Sequence, residues 1–180
     1  MLFRSLESSG EAAELNCKPL TAAALTGVLR PSLAHVNMVS AGINAKERGV
    51  IVEETKRGQD GAFESYIRLT VVTPKYERSI AGTVFGDGRP RIIQVRDINM
   101  EFEILPHMMF VRNTDQPGFI GKLGTITADA GLNIATLNLG RDRPGGDAIC
   151  VAAFDVPVPD EVRAKVKALP QVMRVNKLEF

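Results

Sequence analysis

The stretch Arg112-Asn113-Thr114-Asp115-Gln116-Pro117-Gly118-Phe119-Ile120-Gly121 holds the residues of this chain best suited to grip a small ligand. Pro117 and Gly118 set a turn. The amides from about Gly118 to Gly121 then lie at a helix N-terminus, where unpaired N–H groups and the helix dipole favour an anion such as an α-carboxylate. Asp115 can accept from an ammonium, and Asn113 can bond a side-chain hydroxyl or carboxamide. Together these functions match an amino acid. The same residue types also cap helices and satisfy turns, a use about twice as common for an isolated Asp-x-Pro-Gly loop. Asn133, in Gly131-Leu132-Asn133-Ile134, likewise has two readings: a turn residue after a helix C-cap, or an amide facing a ligand held by a neighbouring subunit. Spacing alone does not choose between them.

Catalytic chemistry is harder to find. His35 falls within a helical stretch and His107 beside Pro106, and no serine, cysteine or carboxylate stands at a spacing that would make either a general base. Cys17 and Cys150 lie far apart, in neither a CxxC pair nor any other metal-ligand spacing, and read as reduced structural thiols. Gly86-Asp87-Gly88 reads as a hairpin turn, because the glycine fingerprint of a nucleotide-binding fold would need glycine where Arg91 stands. Gly118, Gly121 and Gly124 recur every three residues on a helix, and Lys122 lacks the flanking residues of a phosphate loop. No catalytic residue and no metal ligand is assigned.

These residues need elements to position them. The last 75 residues or so read as strand, helix, strand, strand, helix, strand. His107 to Arg112 starts the series, followed by a helix over Gly118 to Ala130 with Phe119, Leu123, Ile126 and Ala130 on one face. Asn133 to Arg141 and Ala148 to Asp155 form a hairpin across Arg143-Pro144-Gly145-Gly146. A helix opened by Pro159 and stopped by Pro170 leads to a final strand from Val172 to Phe180. The order βαββαβ is ferredoxin-like.

Upstream, residues 1–16 read as a leading segment, with an added extended strand expected over 11–17 and a start that looks like a cut. Thr21 is expected to cap a helix that ends at Pro31. A second helix is expected from about Ser32, with Leu33, Val36, Val39 and Ile43 on its inner stripe. The period then becomes two: Val50 to Lys56 and Phe63 to Val72 are strands around a turn at Gly58-Gln59-Asp60-Gly61. Ser79 to Phe85 and Arg91 to Ile98 pair across residues 86–88, and Met100 to Leu105 adds a short strand. The expected architecture is α+β: a two-helix plus antiparallel-sheet domain over 17–105, then a βαββαβ domain over 106–180.

The Asp115-Gln116-Pro117-Gly118 loop, the helix from Ile120 to Ala130 and Gly131-Leu132-Asn133-Ile134-Ala135 resemble the ACT domain, a module that binds amino acids at subunit interfaces. Lys18-Pro19-Leu20-Thr21-Ala22-Ala23-Ala24-Leu25, Val36-Asn37-Met38-Val39-Ser40-Ala41, Ala45-Lys46-Glu47-Arg48-Gly49-Val50 and Ser79-Ile80-Ala81-Gly82-Thr83-Val84-Phe85-Gly86 resemble the intervening, or allosteric substrate-binding, domain of long-form D-3-phosphoglycerate dehydrogenases. The two resemblances stand in that family's order and cover about residues 11–180. They imply the C-terminal regulatory part of an NAD-dependent oxidoreductase of serine biosynthesis, with NAD and the catalytic residues in domains outside this chain. They also imply self-association through the ACT domain. L-serine would be the feedback effector, at positions matching Asn113, Asp115, Gly118 and Asn133, with Asn113 standing where relatives vary. An anion site is implied for the intervening domain, and Arg91 is the first candidate among Lys18, Lys46, Arg48 and Arg78.

Composition narrows the partners. A formal net charge of +1 offers no global field for nucleic acid or an anionic membrane, and 44% hydrophobic residues with mean hydropathy near zero suit a soluble, cytoplasmic globular protein. No apolar run approaches the roughly 20 residues of a membrane span. Two rival readings remain. An iron–sulfur L-serine dehydratase also joins such domains, but it needs clustered cysteines. A free-standing amino-acid sensor would have its own start site.

Overall fold

The computed structural model describes residues 2–14, 16–58 and 65–180. It forms two compact units, Met1–Pro90 and Arg91–Phe180.

In the first unit, strand β1 (Leu2–Gly10) lies between β2 (Val50–Arg57), to which it runs parallel, and β3 (Ser65–Thr73), to which it runs antiparallel; β4 (Tyr76–Val84) follows β3. The expected leading segment is therefore an inner strand. The extended stretch anticipated over 11–17 is instead a short helix, α1 (Glu11–Glu14), beyond the left-handed Gly10. Serines hid the strand. Ser8 and Ser9 are both buried, the hydroxyl of Ser8 lying 3.4 Å from Cys17 Sγ and that of Ser9 donating to the Gly58 carbonyl at 2.9 Å. Partnered hydroxyls are buried at little cost, and they leave no apolar alternation to read. The anticipated turn at residues 58–61 and the start of its second strand at Phe63 lie largely outside the described residues.

Helix α2 (Lys18–Leu29) begins three residues before the expected cap. Pro19 is tolerated in its first turn, where an N–H would have no helical partner. Thr21 is already inside, its amide donating to the Cys17 carbonyl at 2.9 Å and its hydroxyl to Glu54. A 3-10 turn over Arg30–Ser32 follows. The long second helix does not form: α3 spans only Ala41–Glu47, and Val39 and Ile43 are exposed. Asn37 is the reason. Its Oδ1 accepts from the amides of Val39 at 3.0 Å and Ser40 at 2.9 Å, giving the backbone a turn in place of a helix. Leu25, Leu29, Val36, Ala41 and Ala45 pack together as this unit's core, with Val50 and Val52 of β2 against them.

The second unit opens with a hairpin, β5 (Pro90–Val95) and β6 (Ile98–Glu103), turning at Arg96 with φ 58°. The strand expected to run on to Ile98 thus ends earlier, and Ile98 starts the next one. There follow β7 (His107–Thr114), α4 (Phe119–Asp129), β8 (Ile134–Arg141), β9 (Asp147–Phe154), α5 (Asp160–Lys167) and β10 (Val172–Glu179). The four-stranded sheet is antiparallel in the order β10-β7-β9-β8, the ferredoxin-like arrangement expected from the sequence.

Both faces of this sheet are covered. Phe119 and Leu123 of α4 and Val162 and Val166 of α5 pack on Met109, Val111, Cys150 and Ala152. On the other face, Ile98, Met100 and Phe102 of β6 pack on Met108, Ile149, Val151 and Ala153. The apolar face of the hairpin is thus buried against the four-stranded sheet. Burial pushes the Cys150 thiol up to about 12. Cys17 and Cys150 are both buried. Neither is expected to react with a disulfide reagent at pH 8 until the chain unfolds, so labelling in urea should track loss of circular dichroism.

Candidate ligand-binding cleft

The end of β7 and the start of α4 are held apart by a loop whose backbone is fixed at two points. The amide of Thr114 donates to the Gln171 carbonyl at 2.9 Å, and that of Asp115 to the Gly146 carbonyl at 2.8 Å. Gly118 caps α4 at φ 87°, a conformation a side chain would strain, so the chain turns there and presents the first helical amides outward. Between this loop and the ends of β8 and β9 lies an open cleft of about 540 Å³, lined by Asn113, Asp115, Gly118, Phe119, Gly140 and Arg141 among others.

Asn113 is 2% exposed. Its Nδ2 donates to the Thr114 carbonyl at 2.9 Å, while its Oδ1 is buried with no hydrogen-bond partner. A buried acceptor without a donor is unfavourable, and a donor brought to it would relieve that cost. Asp115 is differently placed. Its Oδ2 accepts from Arg141 Nη1 at 2.7 Å and from the Gly145 amide at 3.1 Å. The Arg141 guanidinium, helped by that amide, holds the Asp115 carboxyl below the usual carboxylate range.

The cleft thus brings together Asn113, Asp115 and Gly118. Asn133 is not among them: its Nδ2 donates to Asp155 Oδ2 at 2.8 Å at the opposite end of β8. Eight residues of extended strand separate it from Arg141, roughly 25 Å. Arg141 itself went unread in the sequence. Arg91 lies 3.3 Å from Glu101 and 3.6 Å from Glu103 on β6, so two carboxylates already balance its charge. Of the other basic candidates, Arg78 sits over the Tyr76 ring at 4.2 Å, and Lys46 lines a separate cleft in the first unit with Thr21 and Glu54. Among the described residues, no group of histidine, cysteine or carboxylate side chains is placed to hold a metal ion, and no helix is long and apolar enough to cross a membrane.

Family comparisons fit this architecture. Residues 5–96 match the D-3-phosphoglycerate dehydrogenase intervening domain and residues 107–171 the ACT domain. The chain belongs to the D-3-phosphoglycerate dehydrogenase family. It is 35% identical over 159 residues to the D-3-phosphoglycerate dehydrogenase of Synechocystis sp., covering 87% of this chain and 29% of that protein. With the same enzyme of Bacillus subtilis it shares 28% identity over 177 residues, covering 98% and 34%. With that of Methanocaldococcus jannaschii it shares 32% over 168 residues, covering 93% and 32%. The chain spans about a third of the length of these curated relatives. The match joins the two domains in the order the sequence suggested.

Proposed function

We propose that this chain is the C-terminal regulatory portion of a cytoplasmic D-3-phosphoglycerate dehydrogenase, and that its ACT cleft binds L-serine as a feedback effector across a contact between two ACT domains. The observation that carries this reading is the partnerless buried Oδ1 of Asn113, set in one cleft with an ionised carboxylate and a helix N-terminus. The serine hydroxyl would donate to Asn113 and its ammonium to Asp115, in a cleft that the N-terminus of α4 also lines.

Edge geometry supports the shared contact. Among the described residues, β8 is an outer strand of its sheet, with no strand paired along its far side. If it pairs antiparallel with β8 of a second copy about a two-fold axis, the start of one strand meets the end of the other. Asn133 of the second copy would then stand near Asp115 and Arg141, which a single chain cannot achieve. A serine bridging the two would favour one quaternary state by its differential affinity, and so alter catalytic domains carried elsewhere in the enzyme.

NAD belongs to those other domains in this reading. Gln116 stands where the first glycine of a dinucleotide fingerprint would be needed before α4, and Gly86-Asp87-Gly88 closes a tight turn in which the Gly88 amide donates to the Phe85 carbonyl at 2.8 Å. On this reading neither glycine set is a dinucleotide fingerprint.

Calorimetric titration of the purified chain with L-serine, beside sedimentation to follow its assembly, tests the reading. Saturable heat and a shift toward dimer are expected, and Asn133→Ala should weaken binding about tenfold while leaving the fold intact. A folded dimer giving neither heat nor thermal shift at millimolar serine would sink the proposal.

A further inference from the structure

Arg141 lies at the end of β8, its side chain 56% exposed, with one guanidinium nitrogen on Asp115 at 2.7 Å. A guanidinium carries five donors, and a carboxylate can take two of them side by side. Among the described residues no other protein group bonds the Arg141 guanidinium. The pair lines the same cleft as Asn113, whose buried Oδ1 has no hydrogen-bond partner.

An Asp–Arg pair is the electrostatic complement of an amino-acid zwitterion. Inserting the zwitterion between the two side chains exchanges one ion pair for two, with no change in net charge, and leaves no charge unmatched as water is displaced. The third contact, at Asn113, requires a hydrogen-bond donor on the ligand. Small ligands carrying an ammonium, a carboxylate and a short donor side chain satisfy all three.

We propose that Arg141 reads the effector's α-carboxylate, and that binding splits the Arg141–Asp115 pair, the ligand's ammonium taking Asp115 and its carboxylate taking Arg141. The inference rests on the reading that this cleft binds an amino acid. It makes Arg141 a specificity-determining residue. The strand that bears Arg141 is also the open sheet edge, so ligand contact and edge geometry are joined in one element.

The test compares L-serine with L-serinamide, which keeps the ammonium and hydroxyl but lacks the carboxylate, by calorimetry on the full chain. Wild type should prefer serine by about 30-fold or more. Arg141→Gln should lose about that factor toward serine while binding serinamide at least as well as wild type does, so the preference collapses. Arg141→Lys, which keeps the charge but not the fork, should fall between.

Equal binding of the two ligands by wild type would overturn the assignment without any variant. So would an Arg141→Gln protein that keeps the full preference, which would place carboxylate recognition on the α4 amides. Equal losses toward both ligands in Arg141→Gln would make Arg141 a structural pin of the loop and also overturn it. A wild-type chain silent toward both ligands defeats the amino-acid reading itself, an outcome distinct from all of these.

Discussion

Gly140→Val should destabilise the second unit by about 3 kcal/mol or more, combining overpacking with the loss of a covered apolar face. A Cβ at this position would stand 2.5 Å from Ile98 Cγ2, 2.9 Å from the Asn99 carbonyl oxygen and 3.2 Å from Met100 Cβ. None of these can step aside. Cγ2 is a branch methyl fixed by a β-branched rotamer, and the oxygen is backbone, so the β5–β6 hairpin must lift as a whole. Lifting it uncovers Ile98, Met100 and Phe102 together with the sheet residues beneath. Gly124→Ala is the contrast: its Cβ meets nothing within 4 Å, and on helix propensity it should stabilise by up to about 1 kcal/mol. Urea midpoints of the two variants should move in opposite directions from wild type. A Gly140→Val protein as stable as wild type would show that the hairpin does not press on β8.

Gly140 also lines the cleft, immediately before Arg141. One stretch of β8 therefore carries the hairpin on one face and borders the ligand site at its end. Variants at 140 should lose stability and serine binding together, whereas Asn133→Ala should alter binding alone.

The parts of this architecture that could be read from sequence share a physical cause. α4 and α5 are amphipathic and bounded by residues with one local meaning, Gly118 and Gly131 at φ 87° and 69° around the first, Pro159 and Pro170 around the second. β1 escaped because its buried serines are satisfied by distant partners, Cys17 and Gly58, that no local pattern reveals. The stripe Leu33, Val36, Val39, Ile43 looked like a helix face, but the competing bonds of Asn37 decided the backbone. β9 is buried along its whole length past Asp147, because the hairpin covers the face that would otherwise have been polar.

The cleft divides the same way. Asn113, Asp115 and Gly118 are neighbours in sequence and declared themselves together. Arg141 is 26 positions from Asp115, and its one signal was topological: once β8 and β9 form a hairpin and β9 pairs with β7, Arg141 opposite Ala148 must lie close to Asn113, which also pairs with Ala148.

Asp115→Ala should weaken L-serine binding about 100-fold or more, the largest expected effect on the cleft. The substitution removes the acceptor for the ligand ammonium and leaves Arg141 without its anion. Asp115→Asn separates charge from shape, since it keeps an acceptor oxygen but not the negative charge. The pH dependence distinguishes them further. Arg141 and the Gly145 amide hold the Asp115 carboxyl below its ordinary range, so it stays ionised throughout the neutral and mildly acidic range. A carboxylate with a depressed folded pKa contributes its interaction above the unfolded pKa and loses it as pH falls through the folded value. Serine affinity in wild type should accordingly be flat from pH 8 to about 5 and decline only below about pH 4. In Asp115→Asn it should start low and show no such decline. If wild-type affinity instead fell between pH 7 and 6, a histidine would be controlling the site, and the assignment of the ammonium to Asp115 would be wrong.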